Sequence, residues 1–215
     1  TVTGIDHFRA FGDPNRGTIV LRLTHGNVSF LLGGDLNRES ERRLADYLQQ
    51  HPQATIRAEI LKVPHHGSHD FDPTFLAQVA PFVSVVSSGD DNASREYVHP
   101  RANLLAALGR ASRVSGTAQP LVFCTELAAF FEYKGKVTPE QHRTVAGGGL
   151  AKLPDSELMA PFDAFERLVW GAVRCHTDGQ RVLVAVESAS ATIKEAYAFR
   201  VDATGTITED TVEML

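Results

Sequence analysis

Two short apolar segments, each followed by a polar turn, constrain the fold of this chain most strongly. Residues 28–32 (VSFLL) lead into the sequence GGD, and residues 59–63 lead into PHHGSHD. Between them, residues 38–49 have the apolar spacing of an amphipathic helix. A strand, a helix and a second strand in this order form a βαβ unit if both strands lie in one sheet, and the two strands of such a unit are parallel.

The side chains that follow these two strands should therefore meet at one edge of the sheet. Parallel strands have their carboxyl ends at the same edge, where α/β sheets commonly bind ligands. Asp35 follows the first strand, and His65 and His66 follow the second. A carboxylate and an imidazole together suit a borderline divalent metal such as zinc or manganese. Because a catalytic zinc has about three protein ligands, two positions are too few, and the site needs more.

The rest of the chain predicts a mixed α/β layered architecture with helices packed on sheets. A hairpin is predicted over residues 18–32 from its two β-rich runs and the turn between them. Residues 134–161, which include three consecutive glycines, predict a flexible insertion. The other predicted elements are a helix over 73–79, a strand over 82–87, a helix from Pro100 to about Leu108, a β pair of 121–124 with 128–133, a helix over 162–170 and strands over 172–175, 181–187 and 195–201.

Composition favours a soluble globular protein over a nucleic-acid-binding or membrane-spanning one. The net charge of −5 argues against a broad basic face for nucleic acid, although a local basic groove remains compatible with it. No apolar run approaches the roughly 20 residues of a membrane span. Cys124 and Cys175 form no disulfide framework, so we expect buried thiols in a reducing compartment and a cytoplasmic location.

Four motifs occur in an order that carries a family resemblance. They are NRGTIVLRL at residues 15–23, FLLGGD at 30–35, ILKVPHHGS at 60–68 and YVHP at 97–100. Together they resemble the metallo-β-lactamase fold superfamily, and in particular the branch that contains the hydrolase domain of competence-related DNA-uptake proteins. The resemblance covers residues 15–133.

This resemblance implies a metal-dependent hydrolase that uses a metal-bound hydroxide, on a phosphodiester or another ester. The implied cofactors are two divalent metal ions, with zinc as the first choice and manganese as the alternative. Asp35 would bridge the two ions and His66 would complete the ligand shell of one of them. His65 would face the substrate, although the two histidines could exchange these roles. His99 would contact the substrate or stabilise the transition state.

The chain departs from the family pattern in one large respect, because the main ligand motif His-x-His-x-Asp-His is absent. None of His7, His25 and His51 stands in such a cluster. The resemblance therefore implies the C-terminal half of a four-layer αβ/βα sandwich, with the N-terminal half as a separate or cleaved polypeptide partner. The absence of an initiator Met favours cleavage or truncation over loss. Residues 1–133 would be the half-core, 134–161 the insertion or linker, and 162–215 a terminal helix and β segment completing the same domain.

Several simpler interpretations compete with this one. The chain could be a non-catalytic scaffold or interaction module that has lost the first ligand cluster. Asp35 could merely favour the start of the following helix, and the histidines could form a polar turn. The pair His69-Asp70 is similar to the signature of HD phosphohydrolases, but those proteins are all-helical and this pair follows a strand. A nucleotide-binding domain would need a glycine-rich phosphate loop after the first strand, which this sequence lacks.

Overall fold

A computed structural model of the chain describes residues 4–9, 18–88, 99–115, 118–125, 131–137, 162–167, 171–188 and 193–212. These residues form three β-sheets and three α-helices, so the expected mixed α/β content is confirmed. The strands are β1 (Gly4–Arg9), β2 (Ile19–His25), β3 (Val28–Leu32), β4 (Ile60–Lys62), β5 (Val83–Val86), β6 (Leu121–Cys124), β7 (Phe131–Val137), β8 (Phe162–Arg167), β9 (Gly171–Thr177), β10 (Arg181–Ser188), β11 (Ile193–Val201) and β12 (Ile207–Asp210). The helices are α1 (Arg38–Gln50), α2 (Pro73–Val79) and α3 (Ala102–Ala111).

The first six strands form one sheet in sequence order, β1-β2-β3-β4-β5-β6. Strands β1, β2 and β3 are antiparallel neighbours, whereas β3, β4, β5 and β6 are parallel. The predicted βαβ unit is therefore confirmed, because β3 and β4 pair in parallel with α1 between them. Leu32, Lys62 and Val85 lie side by side at the carboxyl ends of three neighbouring strands. We call this rim of the sheet, with the turns that follow β3, β4 and β5, the carboxyl edge.

Side-chain caps explain where the first two helices begin. The side chain of Asn37 accepts a hydrogen bond from the backbone N–H of Ser40 (3.0 Å) at the start of α1. Asp72 accepts from the N–H groups of Thr74 (2.8 Å) and Phe75 (3.1 Å) at the start of α2, with Pro73 in its first turn. The sequence predicts helices over residues 38–49, from their apolar spacing, and over 73–79, and both predictions are confirmed.

The six-stranded sheet is covered on both of its faces. One face packs against the helices through a core that includes Leu31, Leu61, Phe75 and Leu108. The other face packs against a four-stranded antiparallel sheet of order β12-β11-β10-β9. The core between the two sheets contains Ile60, Phe82, Val83, Val182, Val184 and Phe199. The C-terminal strands β9 to β12 thus cover the second face of this sheet.

Two sequence predictions, one about strand pairing and one about helix content, are wrong. Residues 121–124 do not pair with the segment after them, because β6 lies beside β5 and β7 pairs with β8. Residues 162–167 of the predicted helix over 162–170 form strand β8 instead. Residues 4–9, for which no element is predicted from the sequence, form β1 at the edge of the first sheet. Residues 134–137 of the predicted insertion belong to β7, and 138–161 lie outside the described residues.

Both cysteines are free thiols. Cys124 is buried as expected, whereas Cys175 is only half-buried. Burial raises the pKa of each thiol to about 11, so both are protonated at neutral pH. The reducing compartment inferred from them stays a prediction.

Among the described helices, none is both long and apolar enough to cross a membrane.

Candidate metal centre

The turn after β3 brings Asp35 to the carboxyl edge. Gly34 has a φ of +56°, a left-handed conformation that glycine adopts at little cost. A Cβ at Gly33 would lie 2.5 Å from Cγ of Pro64, so this glycine allows the turn after β3 to approach the turn after β4. The carbonyl of Gly34 also accepts a hydrogen bond from the backbone N–H of His65 (3.0 Å). The two turns are thereby joined, which places the aspartate beside the histidines.

The histidine turn after β4 has an unusual backbone. His65 and His66 have φ values of +47° and +52°, and Gly67 has a φ of +84°. A left-handed conformation costs a non-glycine residue on the order of 1–3 kcal/mol, and such residues cluster at functional sites. The strain is held in place by the hydrogen bond from the N–H of Ser68 to the carbonyl of His65 (2.9 Å) and by that from the N–H of Arg101 to the carbonyl of Gly67 (2.9 Å).

Asp35 and His66 face each other across this edge. Nε2 of His66 lies 3.6 Å from Oδ1 of Asp35, and both side chains are about half exposed. Two ligands of one tetrahedral zinc, each about 2.0–2.1 Å from the ion, lie roughly 3.3 Å apart. The observed separation therefore fits two groups that share one ion.

The other ring nitrogen of His66 fixes which atom faces Asp35. Nδ1 lies 2.7 Å from the carbonyl oxygen of Ser87, directly after β5. A carbonyl can only accept, so Nδ1 carries the proton and, in the neutral ring, Nε2 carries the lone pair. Metal-ligating histidines usually donate their second nitrogen to a carbonyl or a carboxylate in this way. Of the two histidines that the sequence left open, His66 therefore has the geometry of the ligand.

His65 and His99 lie together beside this pair. Their ring centroids are 6.3 Å apart, although 34 residues of sequence separate them. Burial lowers the pKa of His99 below its usual 6.5, and the charges of Arg101 and the neighbouring histidines act in the same direction, so the ring is neutral at pH 7. Nδ1 of His65 is buried with no hydrogen-bond partner in the described part of the chain. The structure thus brings together all four residues singled out from the sequence.

Lys62 is a fifth residue at this site, and sequence reasoning missed it. It is the last residue of β4 and lies on the same face as Ile60, which packs against the second sheet. Burial lowers the pKa of its ammonium group below the usual 10.5, and the charge of Asp35 opposes this shift. A lysine within an apolar strand was the signal that could have found it.

The other histidines discussed from the sequence lie outside the carboxyl-edge site, and the site itself lacks a third metal ligand in the described residues. His69 is exposed, and its carbonyl accepts from the Arg38 side chain (3.4 Å). His51 stacks on Tyr47 at the end of α1, and His25 ends β2. In the described residues, no three His, Cys, Asp or Glu side chains converge closely enough to hold a metal by themselves. Tyr97 and Val98 of the YVHP motif lie outside the described residues.

Comparison with known proteins finds relatives for part of the chain. Over 107 residues it is 35% identical to ComE operon protein 3 of Bacillus subtilis. This aligned region covers 49% of this chain and 13% of that protein. Over 89 residues it is 34% identical to competence protein ComA of Neisseria gonorrhoeae. This second aligned region covers 41% of this chain and 12% of that protein. Part of this chain is therefore similar to competence-related proteins.

The compared regions span about an eighth of the length of these relatives. No family model matches the chain, and no solved structure is significantly similar to it. The competence-related part of the expected resemblance is confirmed, and the metallo-β-lactamase fold stays a prediction.

Proposed function

We propose that the carboxyl edge is one wall of the metal site of a metallo-β-lactamase-type hydrolase. Asp35 and His66 hold a divalent ion, preferably zinc, and the remaining ligands come from an N-terminal half of the fold outside this chain. The observation that carries the proposal is the orientation of His66, whose Nδ1 donates to Ser87 while Nε2 faces Asp35 at 3.6 Å.

The layer order supports this fold assignment. Helices, a mixed six-stranded sheet and a second sheet are stacked in that order, which corresponds to three of the four layers of an αβ/βα sandwich. The outer side of the second sheet exposes charged side chains, among them Arg174 and Arg200. In the proposed fold, the N-terminal half adds the remaining ligands at the carboxyl edge.

Each residue of the site has a distinct task in this proposal. When bound, a pair of divalent ions lowers the pKa of a water molecule and stabilises charge on the displaced oxygen. Asp35 supplies carboxylate oxygens and His66 supplies its Nε2 lone pair to that centre. His65 and His99 lie next to the ligands and are suited to contact the substrate, because an imidazole N–H can donate a hydrogen bond to a phosphoryl oxygen.

A phosphodiester is the substrate class that we favour. Lys62 adds positive charge beside Asp35, and the relatives are named as competence proteins, which makes a DNA strand the candidate substrate. The net charge of −5 means that a nucleic acid would be held locally at the site rather than over a broad surface. Another ester remains the alternative.

Hydrolysis of a generic phosphodiester such as bis(p-nitrophenyl) phosphate tests the activity. The assay uses the protein as its host produces it, with any polypeptide that accompanies it. We expect Asp35→Ala to lower turnover by more than about 100-fold, because even partners outside the ligand shell are worth 10–100-fold at metal sites. Circular dichroism should show an unchanged fold.

His69→Ala is the matched control, since His69 lies in the same turn but outside the site. Its turnover should equal that of the wild type. Unchanged turnover in Asp35→Ala, or an equal loss in His69→Ala, would contradict the proposal. A well-folded protein with neither metal nor turnover would instead be the non-catalytic scaffold.

A further inference from the structure

We propose that Thr125 is a positioning residue for His66, and that its hydroxyl group holds the peptide whose carbonyl orients the histidine ring. This inference rests on the proposed function only where metal affinity is concerned. The orientation of the ring is a property of the protein alone.

The peptide between Ser87 and Ser88 is held from both ends. Its carbonyl, from Ser87, accepts from Nδ1 of His66 (2.7 Å), and its N–H, from Ser88, donates to Oγ1 of Thr125 (3.1 Å). The peptide group is planar, and in the trans form its N–H and C=O point in opposite directions. Fixing the N–H therefore fixes the direction of the carbonyl toward the histidine.

The same hydroxyl makes a second bond that removes the remaining freedom. Oγ1 of Thr125 donates to the carbonyl of Ser88 (2.8 Å), so one hydroxyl binds both backbone polar groups of this residue. Ser88 lies two residues beyond the end of β5, where the strand ladder no longer holds the backbone. Without the hydroxyl, the peptide could rotate away from the histidine.

Thr125 is itself anchored between the two sheets. Its N–H donates to the carbonyl of Val86 (3.0 Å), and its own carbonyl accepts from the N–H of Gly171 (3.1 Å) at the start of β9. A chain of hydrogen bonds thus runs from the second sheet through Thr125 and the Ser87–Ser88 peptide to His66. The backbone of Thr125 is thereby fixed, and with it the position from which its hydroxyl group reaches the peptide.

The consequence for the site is a single tautomer of His66. With Nδ1 protonated, Nε2 has its lone pair directed toward Asp35, 3.6 Å away. A loosened carbonyl would allow ring rotation and the other tautomer, in which Nε2 carries the proton and cannot bind a metal.

Thr125→Val and Thr125→Ser together test the inference. Valine keeps the shape of threonine but has no hydroxyl, whereas serine keeps the hydroxyl. Nitrogen-15 NMR of the metal-free protein at a pH where His66 is neutral reports the tautomer of the ring. We expect a predominant Nδ1–H form in the wild type and Thr125→Ser, and a mixture of tautomers in Thr125→Val. Thermal unfolding identifies any variant that fails to fold, and Thr125→Ala then replaces valine.

Zinc titration provides the second measurement. Thr125→Val should bind zinc about tenfold more weakly than the wild type, the lower end of the range for partners outside the ligand shell, and Thr125→Ser should bind as the wild type does. An unchanged tautomer in the folded valine or alanine variant, or a serine variant that behaves like valine, would overturn the inference. If the tautomer shifts but no variant or wild type binds zinc, the positioning role stands and the metal proposal fails.

Discussion

The amino and carboxyl ends of the parallel strands carry similar chemical groups that serve opposite purposes. At the edge opposite the carboxyl edge, Glu59 is buried and its Oε1 lies 2.7 Å from Arg113, while its Oε2 accepts from the N–H of Ser29 (2.7 Å). At the carboxyl edge, Asp35 and His66 are half exposed, 3.6 Å apart, with their facing atoms available. A buried carboxylate with both oxygens bonded is satisfied within the protein, whereas an open carboxylate beside a strained turn is ready for a ligand.

Removal of a carboxylate from each edge gives the largest expected difference. Glu59→Ala leaves the Arg113 guanidinium buried without its partner and should cost about 3–5 kcal/mol of unfolding free energy. Asp35→Ala should change the unfolding free energy by less than about 1 kcal/mol, because the carboxylate is half exposed. Urea denaturation measures both variants.

Glu39→Ala is the control for loss of a carboxylate as such, since Glu39 forms an exposed pair with Arg43 on α1. Its effect should be about 0.5 kcal/mol or less. A loss at Asp35 as large as that at Glu59 would mean that the carboxyl edge is a structural pair.

Gly33→Ala should disturb the carboxyl edge from within. The added Cβ would lie 2.5 Å from Cγ of Pro64, so the turns that carry Asp35 and His66 would be forced apart. Overpacking of this kind costs about 1–3 kcal/mol. Zinc affinity should fall together with stability, and both can be measured on the same sample.

Gly109→Ala is the matched control, because a Cβ there meets nothing within 4 Å. A Gly33→Ala protein with wild-type zinc affinity would show that the spacing of the turns is unimportant.

Glu41 gives a smaller, pH-dependent effect. Burial is the main cause that raises the pKa of its carboxyl group well above the usual 4.5, and the negative charges of Asp72 and Asp70 act in the same direction. The hydrogen bond from the N–H of Asp72 and the charge of Arg38 oppose this shift. The folded state therefore binds the proton more tightly than the unfolded chain, and stability falls as the pH rises from about 4.5 through the raised pKa.

Glu41→Gln should remove this dependence. The variant should be more stable than the wild type at pH 7, and the difference should shrink toward pH 4, as urea denaturation at several pH values would show. If the wild type instead gained unfolding free energy relative to Glu41→Gln between pH 4.5 and 7, the raised pKa of Glu41 would be contradicted.

The sequence predicted the part of the fold whose signals are local. Apolar runs, the apolar spacing of residues 38–49 and the proline at position 73 were enough for β3, α1, β4 and α2. Strand β8 lies in a segment that was predicted to be a helix. Its state is set by pairing with β7 about 30 residues away, which no local pattern reveals.

In the candidate site, too, some residues could be predicted from local sequence signals and others could not. Asp35 and His66 could be predicted to meet because parallel strands place their carboxyl ends together. Ser87 and Thr125 could not, because they act through a carbonyl and a hydroxyl whose positions depend on the finished backbone. Which histidine faces the aspartate also depended on the left-handed turn, which two consecutive non-glycine residues rarely form.

The metal content of the protein tests the central claim most directly. Elemental analysis after reconstitution with zinc, on the protein as its host produces it, should give at least one divalent ion per molecule. Asp35→Ala and His66→Ala should each lower that content, while His69→Ala and Glu39→Ala should leave it unchanged. Fewer than one ion per wild-type molecule, or equal content in all four variants, would contradict the account.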